Sequence, residues 1–169
     1  MYVLLDSASN NRPQRRTALV AAELQRYNID TAALSETRLS DEGSLTEVVG
    51  GYTFFWKGNP TGSARIHGVG FAVRSSLLPS LTESPVGISE RLMSMRNPLT
   101  RGRFATLLSA YAPTLDSSDE EKNTFYAVLH SILQHVPRTD KLFLLGDFNA
   151  RVGSNYQVWQ NCRRATRCR

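Results

Sequence analysis

The chain has 169 residues, an ordinary apolar share of 41% and a formal charge of +5, which suits one folded domain and argues against disorder. No run approaches the roughly 18 apolar residues of a spanning helix, and Met1 to Leu5 lacks the basic flank of a secretory signal, so the chain reads as intracellular, nuclear or cytoplasmic, with no membrane partner. Arg163, Arg164, Arg167 and Arg169 supply four of the positive charges and leave residues 1–162 with 16 Lys+Arg against 15 Asp+Glu, so the basic balance does not mark a phosphate-tracking surface.

From the N-terminus, Ala18, Leu19, Ala22 and Leu24 recur at helical spacing between Arg15 and Tyr27 with no internal Gly or Pro, and predict one amphipathic helix. Asn28-Ile29-Asp30 breaks it. The apolar segment Ile29 to Leu34 predicts a strand that delivers Glu36 at its C-terminal end. Tyr52 to Trp56 and Gly68 to Val73 are β-prone, and the turn formers Asn59 to Ser63 between them predict a hairpin with a long connection. Arg91 to Arg96 and Phe104 to Ala110 are two further strand candidates.

Ser118-Asp119-Glu120-Glu121 forms a capping box, in which Ser118 serves the Glu121 amide and the Glu121 carboxylate reaches back. Behind it Phe125, Val128, Leu129, Ile132 and Leu133 line one helix face. Pro137 stops that helix, and Lys141 to Leu145 enters the last strand. Leu142 to Leu145 is apolar at consecutive positions, so burial on both faces is expected. The two helices would cover one face, and little chain remains after Gly153 to cover the other. This order of elements gives fold class α/β.

Three predicted strands end in polar groups suited to phosphate chemistry: Glu36, Tyr111, and Asp147 with Asn149. Each has an ordinary structural use, as a solvated loop opening, a core-edge aromatic and turn residues. Together they offer more. A hard cation takes oxygen ligands and keeps several waters, so one Glu carboxylate with a substrate phosphate can hold it. A second carboxylate can then orient or deprotonate water, while an amide or phenol hydrogen-bonds the developing charge. Glu36 fits the first role, and Asp147, Asn149 and Tyr111 are available for the others. Cys162 and Cys168 lack the partners of a zinc site. His67, His130 and His135, the only histidines, have no catalytic context.

Leu34-Ser35-Glu36-Thr37-Arg38, Gly68-Val69-Gly70-Phe71, Ser109-Ala110-Tyr111-Ala112-Pro113 and Leu145-Gly146-Asp147-Phe148-Asn149-Ala150-Arg151-Val152-Gly153 occur in the order found in the endonuclease/exonuclease/phosphatase superfamily. More narrowly, the chain resembles the branch containing craniofacial development protein 2 and the endonuclease domains of non-LTR retrotransposons. The resemblance runs from about Leu4 to Trp159. It implies part of a two-sheet α/β sandwich of the DNase I-like fold and a phosphodiesterase site dependent on Mg²⁺, with Mn²⁺ as an alternative. It further implies Glu36 as metal ligand, Asp147 and Asn149 acting on the nucleophile and transition state, and Tyr111 on the scissile phosphate.

The departures are specific. Family members open with a strand carrying an Asn that joins the Glu at the metal, whereas this chain begins Met1-Tyr2-Val3-Leu4-Leu5-Asp6. The later Asp and the terminal Asp-His pair have no counterpart after Gly153. The expectation is a partial domain over residues 1–153 and a divergent basic tail over 154–169, weak or inactive alone, with DNA preferred over RNA. The alternatives are a non-catalytic module that binds a partner chain through an uncovered sheet face, and a phosphatase of small phosphoesters.

Overall fold

Tyr52-Thr53-Phe54-Phe55 carries large residues on both faces of its strand, and Val69-Gly70-Phe71-Ala72-Val73 is buried at every position, so each strand needs cover above and below. The computed structural model, which describes residues 14–149, supplies that cover with four layers. The elements are α1 (Gln14–Arg26), β1 (Thr31–Ser35), β2 (Glu42–Glu47), β3 (Tyr52–Lys57), β4 (Val69–Arg74), β5 (Val86–Ser89), β6 (Leu92–Pro98), β7 (Phe104–Tyr111), α2 (Asp119–His135) and β8 (Lys141–Asp147). One four-stranded sheet runs β1-β4-β3-β2 and the other β5-β6-β7-β8. Every pairing is antiparallel except β7 with β8, which is parallel across the α2 crossover.

Alternation along the strands sorts the core into three slabs. Leu34, Tyr52, Phe54 and Ala72 face Val20, Ala21 and Leu24 of α1. Their neighbours Val69, Phe71 and Val73 face the second sheet, against Met93, Met95 and Tyr111. On the far side of that sheet, Leu92, Leu108 and Ala110 meet Phe125 and Leu129 of α2. The helices thus lie on opposite outer faces, not on one shared face as the sequence suggested. The second layer is built from residues 31–74, and needs nothing from beyond Gly153.

The expected burial of Leu142 to Leu145 is not met. Leu142, Phe143 and Leu144 are 43%, 46% and 37% exposed, because β8 is the edge strand of its sheet and pairs with β7 on one side only. Its entry is nevertheless fixed. Asp140, with a side chain 1% exposed, accepts from Arg96 Nε at 2.7 Å and Thr106 Oγ1 at 2.9 Å, tying the start of β8 to β6 and β7. Arg96 in turn stacks on the Phe104 ring, 3.8 Å from its centroid.

The hydrogen bond from Arg96 holds the Asp140 carboxyl below its ordinary value of 3.8, against a smaller opposing effect of burial. A depressed folded-state value means that the stabilisation is full above that ordinary value and is lost as pH falls through the folded one. Asp140→Asn should lower the melting temperature at pH 7 and flatten its fall on acidification through the ordinary carboxylate range. Thermal melts across that range check both effects, and parallel wild-type and variant curves would refute the assignment.

Candidate phosphodiester site

Glu36 follows β1 in a left-handed turn, with φ of 54° at Glu36 and 53° at Arg38. A conformation unfavourable for non-glycine residues persists only where neighbours enforce it. Here the Thr37 and Arg38 amides donate to the Gly68 and His67 carbonyls, each at 3.0 Å, pinning the turn to the segment before β4. Gly68 must be glycine: its φ is +129°, and a Cβ would stand 2.2 Å from Thr37 Oγ1.

The turn leaves Glu36 8% exposed. The Tyr111 hydroxyl at the end of β7 donates to Glu36 Oε1 at 2.8 Å, joining the two sheets through a pair separated by 75 positions. Glu36 Oε2 is buried and has no hydrogen-bond partner; its opposite charge is Arg38, 3.5 Å away and 44% exposed. Burial of Tyr111, reinforced by the Glu36 carboxylate, pushes its phenol above the ordinary 10.0, while Asn149 and Arg91 pull the other way. Tyr111 therefore remains a hydrogen-bond donor throughout the neutral range.

Asp147 and Asn149 come from the neighbouring strand end. Parallel pairing sets Asp147 level with Tyr111, and the Ala112 amide donates to the Asp147 carbonyl at 2.9 Å. The Asn149 main-chain amide donates to Asp147 Oδ1 at 2.9 Å, and its Nδ2 donates to the Ala112 carbonyl at 2.7 Å. The turn role that the sequence allowed for these residues is thus real, and it orients the Asp147 carboxylate. The structure brings Glu36 and Tyr111 into direct contact and links Asp147 and Asn149 to them through β7.

Two residues without a sequence signal complete the group. Arg91, just before β6, has a side chain 8% exposed, and its guanidinium lies 3.1 Å from His67 Nε2. Burial, then the Arg91 charge, lowers the imidazole below its ordinary 6.5. A charged residue at a strand start resembles a solvated end, and nothing in its immediate sequence announces otherwise. His130 and His135 instead bond within α2, to Gln134 and the Ser131 carbonyl.

Among the described residues no three His, Cys, Asp or Glu side chains converge on one point. Glu36 Oε2 nevertheless suits one ligand of a hard cation that draws its remaining oxygens from water and phosphate. Three hollows of about 390, 400 and 360 Å³ are lined by neither Glu36 nor Tyr111. The expected basic tail, with Cys162 and Cys168, lies outside the described residues. Among those residues, no helix is long and apolar enough to cross a membrane.

A profile of the Endonuclease/Exonuclease/phosphatase family matches residues 3–169. Craniofacial development protein 2 of Bos taurus is 30% identical over 139 residues, covering 80% of this chain and 22% of that protein. Its counterpart in Tragulus javanicus is 29% identical over 139 residues, with 80% and 23% covered. This chain thus spans less than a quarter of the length of these curated relatives. Among solved structures, D. rerio TDP2 complexed with single-strand DNA product superposes with a TM-score of 0.56 at 16% identity, over 96% of this chain and 68% of that one. A humanized D. rerio TDP2 gives 0.57 at 16%, over 95% and 74%. The two-sheet fold expected from the sequence is shared with both.

Gly146, at φ +140°, lets the end of β8 close on β7, where a Cβ would meet the Ala110 carbonyl oxygen at 1.8 Å. Gly146→Ala should force the strands apart just before Asp147 and destabilise the protein by about 1–3 kcal/mol, as overpacking does. Urea unfolding checks the cost, and an unchanged midpoint and slope would refute it.

Proposed function

Because the chain belongs to the Endonuclease/Exonuclease/phosphatase family, we propose that it is a phosphodiesterase domain acting on nucleic acid, DNA before RNA, with weak turnover by this chain alone. The observation that carries the reading is the Glu36 carboxylate: one oxygen is held by Tyr111 and the other is buried with no hydrogen-bond partner. That oxygen would hold Mg²⁺ or Mn²⁺, which when bound neutralises phosphate charge and favours attack at phosphorus.

The remaining work falls to this chain's own side chains. Asp147, oriented by the Asn149 amide, takes a proton from the attacking water. The water oxygen bonds to phosphorus as the bond to the leaving oxygen breaks. The Asn149 side-chain amide donates to the Ala112 carbonyl and also acts on the Tyr111 phenol, so the two would work on the same phosphate. The Tyr111 phenol, kept protonated by its surroundings, donates where negative charge develops.

Proton delivery to the leaving oxygen has no evident side-chain source among the described residues, since His67 Nε2 faces the Arg91 guanidinium. Weak turnover accords with that set of described side chains, because a positioned general acid typically contributes about 10²- to 10⁴-fold. The structural neighbour D. rerio TDP2, complexed with single-strand DNA product, supports nucleic acid as the substrate class.

Purified protein should nick supercoiled plasmid slowly with Mg²⁺ or Mn²⁺, and EDTA, Glu36→Ala or Asp147→Ala should each return nicking to background. Nicking that survives both substitutions would refute the site. Binding of single-stranded DNA without cleavage under either metal would replace the reading with a non-catalytic module. Hydrolysis of small phosphoesters without nicking would replace it with a phosphatase.

A further inference from the structure

A buried guanidinium must find partners, since an unpaired buried charge is costly. Those of Arg91 come from three separate parts of the fold. Its Nη1 donates to the Tyr111 carbonyl at 3.3 Å on β7. Its Nη2 lies 3.1 Å from His67 Nε2, before β4 in the other sheet, and 3.6 Å from Glu121 Oε1 on α2. The Tyr111 amide donates back to the Arg91 carbonyl at 2.9 Å, and the guanidinium carbon lies 5.6 Å from the Tyr111 ring centroid.

The chemistry of these contacts assigns their direction. A guanidinium only donates, so His67 Nε2 accepts and the imidazole proton sits on Nδ1. That nitrogen is buried with no hydrogen-bond partner, so His67 is a neutral prop for Arg91. The His67 ring in turn lies 6.0 Å from the Tyr111 ring. Tyr111 is therefore flanked by Arg91 at its amide, carbonyl and ring, and its hydroxyl goes to Glu36. Glu121 is half exposed, and an ion pair of that kind adds little to stability. The better-formed contacts of Arg91 all point toward Tyr111 and His67.

We propose that Arg91 is the positioning residue of the site: braced by His67 across the sheets, it fixes the Tyr111 ring so that the hydroxyl lands on Glu36 Oε1 and Oε2, beside Arg38, keeps no hydrogen-bond partner. The catalytic consequence rests on the phosphodiesterase reading, and the geometric claim does not. Tyr111 and Glu36 touch the reacting groups, whereas Arg91 acts through Tyr111.

The test uses the full chain carrying 3-fluorotyrosine, with the Tyr111 ¹⁹F resonance assigned by its loss in Tyr111→Phe and its partnerless position defined by Glu36→Ala. In Arg91→Met the Tyr111 resonance should move most of the way to that partnerless position while the exposed Tyr27 resonance stays put. Cleavage should lose about 100-fold in kcat, the scale expected of a small misplacement at the reacting centre, with KM changed by less than about two-fold. Where Arg91→Met does not fold, Arg91→Lys, whose single ammonium cannot serve all three partners, should show a smaller displacement in the same direction. A folded variant whose Tyr111 resonance remains at the wild-type position, with only a lower melting temperature, would overturn the proposal. A displaced resonance in a protein that never cleaves would uphold the positioning role and remove the phosphodiesterase reading alone.

Discussion

The hydrogen bond from Tyr111 to Glu36 spans two sheets, and it exists only because those sheets pack face to face with their strand ends level. Phe71 and Val73 on one side, with Met93 and Met95 on the other, fill the seam and set the spacing between sheets, about 10 Å in such packings. At that distance a phenol on one sheet can reach a carboxylate leaving the other. A shorter residue at position 111 would fall short, and a Glu still within β1 would point along the strand's alternation instead of following the left-handed turn.

The site accordingly mixes two kinds of constraint. Glu36 is held by main-chain geometry, through the paired turn at Thr37 and Arg38 and the close approach of Gly68. Asp147 is held by pairing to β7 and by the Asn149 amide. Main-chain contacts thus hold both carboxylates in position, which is the kind of preorganisation an active site draws on. Arg91 differs from both, because its charge is stabilised by contacts to three elements that each contribute one group.

Much of this was legible in the chain. The Ser118 cap was readable, and the Ser118 hydroxyl does accept from the Glu121 amide at 3.2 Å; the Glu121 carboxylate, however, pairs with Arg91 instead of closing the box. The strands with dense apolar patterns, β1, β3, β4 and β7, were all anticipated to within a few residues. β2 and β5 were not. Glu42-Gly43-Ser44-Leu45-Thr46-Glu47 and Val86-Gly87-Ile88-Ser89 lie at sheet edges, where solvent on one flank relaxes the demand for β-branched and aromatic residues. The blocks around Glu36, Tyr111 and Asp147 marked the site because their chemistry is local to each strand end. Arg91 drew no functional reading and His67 was set aside, because their roles arise only when a residue before β6 meets one before β4, and no local pattern encodes that meeting.

Two serines cross the seam near the site: the Ser35 hydroxyl donates to the Ala110 carbonyl at 3.4 Å and the Ser109 hydroxyl to the Leu34 carbonyl at 3.3 Å. Apolar side chains packed between sheets resist separation well, but they resist sliding poorly, since dispersion is non-directional. Directional bonds running both ways behave like a pair of dowels. They fix how far one sheet is displaced along the other, and the alignment of Tyr111 with Glu36 inherits that tolerance.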